Sequence, residues 1–164
     1  NYSLGVAIKP VTGWLVAFDV QRINFGDVKA LGNSLLNTLT NPVANPLGSA
    51  SGSGFGWRRN QTNYKLGIAY AATPKLTLRT GFAYGQRPND NDINAVSFSL
   101  LTPNPLRQAS LGFSWKTDQG SEFHMAASRF IKGTYQGPSA LFPGAMESVT
   151  PYVNTLSAAW SWRL

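Results

Sequence analysis

Residues 64–84 read YKLGIAYAATPKLTLRTGFAY, and the alternation within them decides the fold. Every second residue from Tyr64 is Tyr64, Leu66, Ile68, Tyr70 and then, beyond the Thr73-Pro74 break, Leu76, Leu78, Thr80, Phe82, Tyr84. The interleaved residues are Lys65, Gly67, Ala69 and then Lys75, Thr77, Arg79, Gly81, Ala83. A period of two belongs to a β-strand, whose side chains point alternately to opposite faces. In a soluble sandwich the apolar face would meet a core and the other face would carry mixed charge. Here the second face is mostly Gly, Ala and Thr with an occasional cation. Large apolar groups outward and small polar groups inward is the pattern a membrane β-barrel wall needs, with lipid on one side and a polar interior on the other.

Composition agrees. Charged residues are 13% of the chain, about half the globular average, and aromatics are 12%. A mean hydropathy of −0.15 conceals the apolar content, because alternation averages towards neutral. No run approaches the roughly 18 apolar residues of a transmembrane helix. Cysteine is absent, which excludes disulfides and thiolate metal sites. At 164 residues the chain is one domain or part of one, so residues 1–164 are read as part of a single barrel domain. It starts at Asn1 without a signal peptide, as expected of a processed product or a fragment. The net charge of +7 comes from cations placed singly, with Arg58-Arg59 the one adjacent pair, and no nucleic-acid-binding motif accompanies them. Nucleic acid is therefore not expected. Anionic lipopolysaccharide and other outer-membrane lipids, or a carboxylate ligand, suit a basic barrel better.

The alternation recurs along the chain. Residues 1–9, 14–25, 57–72, 75–86, 107–117, 121–132 and 149–164 each read as a strand, seven in all. Short turns at 10–13, 73–74 and 118–120 alternate with long connections at 26–55, 87–105 and 133–148. Short periplasmic turns alternating with long outer loops is the layout of outer-membrane barrels. In the first long loop, Asp27 is expected to cap a short helix carrying Val28, Leu31, Leu35 and Leu39. The final strand places Tyr152, Leu156, Ala158, Trp160, Trp162 and Leu164 on one face. This resembles the C-terminal signal by which barrel-assembly machinery recognises its clients, although Leu164 stands where Phe or Trp is usual. Seven strands leave two edges that lipid cannot satisfy. Either one strand is hidden in a loop, giving a small closed eight-stranded barrel with a structural or adhesion role, or the chain is part of a larger barrel.

A resemblance favours the larger barrel. GFGWRRNQTNYKLGIAY (54–70) followed by LTLRTGFAYGQRP (76–88) is similar to the C-terminal half of the FadL-type family of outer-membrane transporters for long-chain fatty acids. That family also contains channels for aromatic hydrocarbons such as toluene. AFDVQRINFGDVKALGN (17–33) and SFSLLTPNPLRQASLGFSW (97–115) resemble it in the same order. The resemblance implies an all-β, antiparallel transmembrane barrel of 14 strands with an N-terminal hatch, of which this chain supplies the last seven. It also implies passive transport of hydrophobic small molecules, with no cofactor.

Catalysis finds little support. Glu122, His124 and Ser128 share one strand face, but same-face neighbours lie about 6.7 Å apart and i,i+4 residues about 13 Å apart. A nucleophile and its base need roughly 3 Å. Ser110 or Ser114 from another strand could supply a hydroxyl, though the sequence selects neither, so no enzyme is expected. One histidine and dispersed carboxylates make a metal site equally unpromising, and Asp90 with Asp92 reads as a solvated turn. A hydrophobic ligand with an anionic head needs an apolar groove and one or two cations. Leu31, Leu35, Leu36 and Leu39 in the first loop, with Phe98, Leu100 and Leu101 in the second, lie outside the wall pattern and are candidates for an outer capture surface. Among the inward cations, Lys65 and Arg79 stand far enough from the turns to attract a carboxylate, or to pair with Asp19 or Glu122.

Overall fold

A computed structural model of the protein describes residues 1–34, 36–52, 54–89, 107–131, 133–139 and 142–162. Seven strands form one antiparallel sheet in the order β1 (Tyr2–Ile8), β2 (Trp14–Ile23), β3 (Gln61–Ala71), β4 (Leu76–Gly85), β5 (Arg107–Lys116), β6 (Glu122–Phe130) and β9 (Asn154–Ser161). Each strand pairs with its neighbour in sequence except β9, which follows a small separate hairpin of β7 (Tyr135–Pro138) and β8 (Met146–Val149). The hairpin lies where the sequence reads as loop. It does not join the wall, so no hidden eighth wall strand is found among the described residues. The outer strands β1 and β9 each have one partner in the sheet.

Register puts the predicted faces together. Leu66 stands between Phe18 and Phe82, and Tyr70 between Trp14 and Leu78. Directly opposed residues share a face, so one side of the sheet is continuous in Leu4, Phe18, Leu66, Phe82, Leu111 and Leu156. These six are exposed. Among the described residues, Tyr135 and Pro88 are the only large apolar side chains that are buried. A soluble protein with this much apolar surface and so small a core would not be stable in water, whereas hydrocarbon on the outside removes the penalty. The short turns use glycine where the backbone demands it. Gly13 and Gly120 both have φ of 84°, a region that a side chain disfavours.

The first long loop departs from the expected single helix. It contains two short ones, α1 (Lys29–Gly32) and α2 (Leu36–Thr40). Val28 occupies the N-cap position of α1 and no side chain caps it, so Asp27 does not play the expected part. Asn33 ends α1 in an extended conformation, and its amide donates to the carbonyls of Ala50 at 3.0 Å and Gly52 at 2.8 Å. A polar side chain that engages distant backbone in this way competes with helix continuation.

Candidate functional site

The inward face of β2 to β6 is paved with small residues: Ala17, Gly67, Ala69, Gly81, Ser110, Gly112 and Ala126. Their lack of bulk leaves a depression of about 590 Å³, whose lining also includes Leu15, Arg79, Ser114 and His124. Its polar wall is a chain of contacts across three strands. Arg79 on β4 donates to the Ser114 hydroxyl on β5. Ser114 Oγ lies 2.7 Å from His124 Nδ1 on β6. On the far side of the ring, His124 Nε2 is 3.6 Å from Glu122 Oε2, and Lys116 Nζ is 3.8 Å from Glu122 Oε1. The Ser114 oxygen accepts from Arg79, and its remaining contact with Nδ1 runs in the direction that the His124 tautomer sets.

The sequence offers Ser110 and Ser114 without selecting either; the structure selects Ser114, which is buried at 7% exposure. The serine, histidine and carboxylate do meet, but through the neighbouring strand and not along one strand. The arrangement differs from a hydrolytic triad in a decisive way. The Ser114 oxygen carries a guanidinium bond, which draws electron density away from the atom that would have to attack. It is a fixed polar network presenting a cation to an otherwise small-residue trough.

The other inward cations divide by depth. Lys65 donates to Gln21 Oε1 at 3.4 Å and stands opposite Asp19 in register. Lys75 pairs with Asp118 beside the short turns, where both groups are exposed and the pair contributes little. Glu122, expected as a partner of Lys65 or Arg79, instead meets Lys116 on the neighbouring strand.

The capture candidates are only partly in view. Leu31 and Leu36 are half-buried in the first loop, and Leu39 is exposed. Leu31 is pinned through its carbonyl, which accepts from Phe55 N at 2.8 Å and Trp57 N at 3.2 Å. Trp57 meets Phe25 edge-on and stacks on Phe55, with ring centres 4.5 and 5.1 Å apart. Leu35, Phe98, Leu100 and Leu101 lie outside the described residues, as do Asp90 and Asp92. Among the described residues no cluster of histidine and carboxylate ligands is placed to hold a metal.

Comparison with known proteins decides the family. The profile described as outer membrane protein transport protein (OMPP1/FadL/TodX) matches residues 1–137. The chain belongs to the FadL/TodX family. It is thus an outer-membrane protein of a family of transport proteins, not enzymes. Two solved structures are similar in fold. One, titled TodX monoaromatic hydrocarbon channel deltaS2 mutant, aligns with a TM-score of 0.64 and 21% identity over 99% of this chain and 35% of that one. The other, titled TodX deltaS2S3 mutant monoaromatic hydrocarbon channel, gives 0.59 and 20% over 97% and 34%. The chain therefore spans about a third of the length of these FadL/TodX structures. No curated protein matches it.

Proposed function

We propose that this chain forms part of the wall of a barrel that passes hydrophobic molecules passively across the outer membrane. The observation that carries the reading is the small-residue trough ending in the Arg79–Ser114–His124 network. An apolar body fits along Gly67, Ala69, Gly81 and Gly112, and an anionic head fits against Arg79, with Lys65 nearer the outer end of the wall. Leu31, Leu36 and Leu39, together with Leu35, Phe98, Leu100 and Leu101, are proposed as the outer surface where the ligand is first captured. The cation distinguishes two substrate classes. A long-chain fatty acid uses it, whereas a monoaromatic hydrocarbon, the class named for the similar TodX channel, does not.

Uptake by vesicles containing the intact protein tests both. Arg79→Ala is expected to lower fatty-acid uptake about tenfold, since a charge-assisted hydrogen bond is worth about 1.5–3 kcal/mol. Toluene uptake should be unaffected. Equal loss of both substrates would show that Arg79 only braces the wall, and no uptake of either by the intact protein would end the transport reading.

A further inference from the structure

The lipid-facing side of the wall changes character from one rim to the other. Near the periplasmic turns it carries Trp14, Tyr70, Trp115, Phe123 and Trp160, and among the described residues no cation. At the outer ends it carries Arg22, Arg107 and Arg129, each the first or second residue from the end of its strand. Register assigns all three to the lipid face: Arg22 opposes Tyr2, Arg107 opposes Tyr84 and Arg129 opposes Ala109. The side chain of Arg107 agrees, with its guanidinium carbon 6.0 Å from the centre of the Tyr84 ring.

Two of these arginines are neighbours. Ile131 N donates to the Arg107 carbonyl at 2.9 Å, so Arg129 stands two residues from the position opposite Arg107. Such diagonal partners are about 7–8 Å apart at the backbone, a gap that two long side chains can close around one anion. Both are exposed, and among the described residues neither pairs with a carboxylate. Towards the membrane centre the same face continues as Ala109, Leu111, Ala127 and Leu156, which is apolar. Cation above and apolar surface below match an anionic lipid. A planar guanidinium fork matches phosphate in particular.

We infer that Arg107 and Arg129 clamp a phosphate of the lipopolysaccharide headgroup, the phosphorylated glycolipid of the outer leaflet. The confinement of outward cations to the outer rim selects that lipid over phospholipid, which fills the inner leaflet and meets the aromatic rim. Arg22, three strands away and held at 2.9 Å by Thr62 Oγ1, adds a second cationic point along the same rim. The inference rests on the orientation of the wall and is independent of which molecule the barrel carries.

The test uses the intact purified barrel in detergent, with bound lipid read by native mass spectrometry. The probes are lipid A with two phosphates, dephosphorylated lipid A and phosphatidylglycerol. The bisphosphorylated form is expected to bind, and to bind about tenfold more weakly for each of Arg107→Ala and Arg129→Ala. Arg107→Lys with Arg129→Lys keeps the charge but loses the fork, and should fall between. This pair also serves if the alanine variants fail to assemble; undiminished binding in it would then overturn the clamp. Undiminished binding in the alanine variants overturns it as well, and so does dephosphorylated lipid A or phosphatidylglycerol binding as tightly as the bisphosphorylated form. A barrel that binds the lipid but moves no hydrophobic substrate would support the clamp and sink only the transport reading.

Discussion

Ser114 and His124 are direct cross-strand partners, with Oγ 2.7 Å from Nδ1, and Arg79 reaches the same hydroxyl from β4. The hydroxyl joins three strands at one buried atom. Ser114→Ala removes the acceptor of a guanidinium and leaves Nδ1 facing a methyl group. Arg79 is exposed and His124 partly so, and both can turn to water, so the expected loss is the net worth of a hydrogen bond, about 0.5–1.5 kcal/mol. It should appear as a lower urea midpoint for the intact barrel. An unchanged midpoint would mean that Arg79 and His124 find other partners at no cost.

That same pair marks how far the sequence could be read. The turn Asp118-Gln119-Gly120 centres the β5–β6 hairpin on Gln119, so Ser114 faces His124 and Lys116 faces Glu122 by symmetry about that residue. Choosing Ser114 over Ser110 needs that fixed turn centre, which alternation alone does not supply, and spacings along one strand are too long for contact. The faces of the wall were legible because alternation is a local property of each strand. The broken helix was not: Asn33 ends α1 by bonding to carbonyls 17 and 19 residues further on, which no local pattern announces. The β7–β8 hairpin was hidden for a similar reason. YQGP and MESV carry no alternation, and the hairpin is held by Arg87 from another loop.

Leu78 lies on the lipid face between Tyr70 and Phe113 in register and is exposed. Leu78→Arg puts a cation on the lipid face level with the rim residue Tyr70, with an expected cost of about 1–2 kcal/mol, between the interface and mid-membrane values. Less of the variant should show the heat-modifiable gel mobility of a folded barrel. Ala83→Arg, on the inward face, is expected to assemble normally. If both behave alike, the two faces have been assigned wrongly.

Gly67 offers a way to narrow the trough without disturbing the wall. A β-carbon added there meets nothing within 4 Å, whereas one at Gly112 comes within 2.9 Å of the Met125 carbonyl. Gly67→Leu is therefore expected to leave assembly intact while obstructing the small-residue path. Uptake of fatty acid and of toluene should both fall several-fold in vesicles, and the urea midpoint should move by less than about 1 kcal/mol in stability. Unaltered uptake would place the route of passage elsewhere in the barrel.

Arg87 ties the outer hairpin to the end of β4. Its guanidinium carbon sits 4.6 Å from the centre of the Tyr135 ring, and its Nη2 donates to the Thr134 carbonyl at 3.0 Å. Burial pushes the Tyr135 hydroxyl above its ordinary value of 10.0, and Arg87 opposes that rise. Since the docked hydroxyl holds its proton more tightly than the undocked one, its contribution to docking is fully present below about pH 10. It is lost as pH rises through the docked value, where the ring must ionise while buried. Limited proteolysis should therefore cut within residues 131–153 increasingly fast above pH 10. Tyr135→Phe should remove that pH dependence, because no proton is left to lose. Arg87→Ala should bring cutting at neutral pH, since it removes a cation–π contact and a hydrogen bond worth about 1–2 kcal/mol together. Equal resistance of Arg87→Ala and the parent at neutral pH would show that the hairpin is held by other contacts.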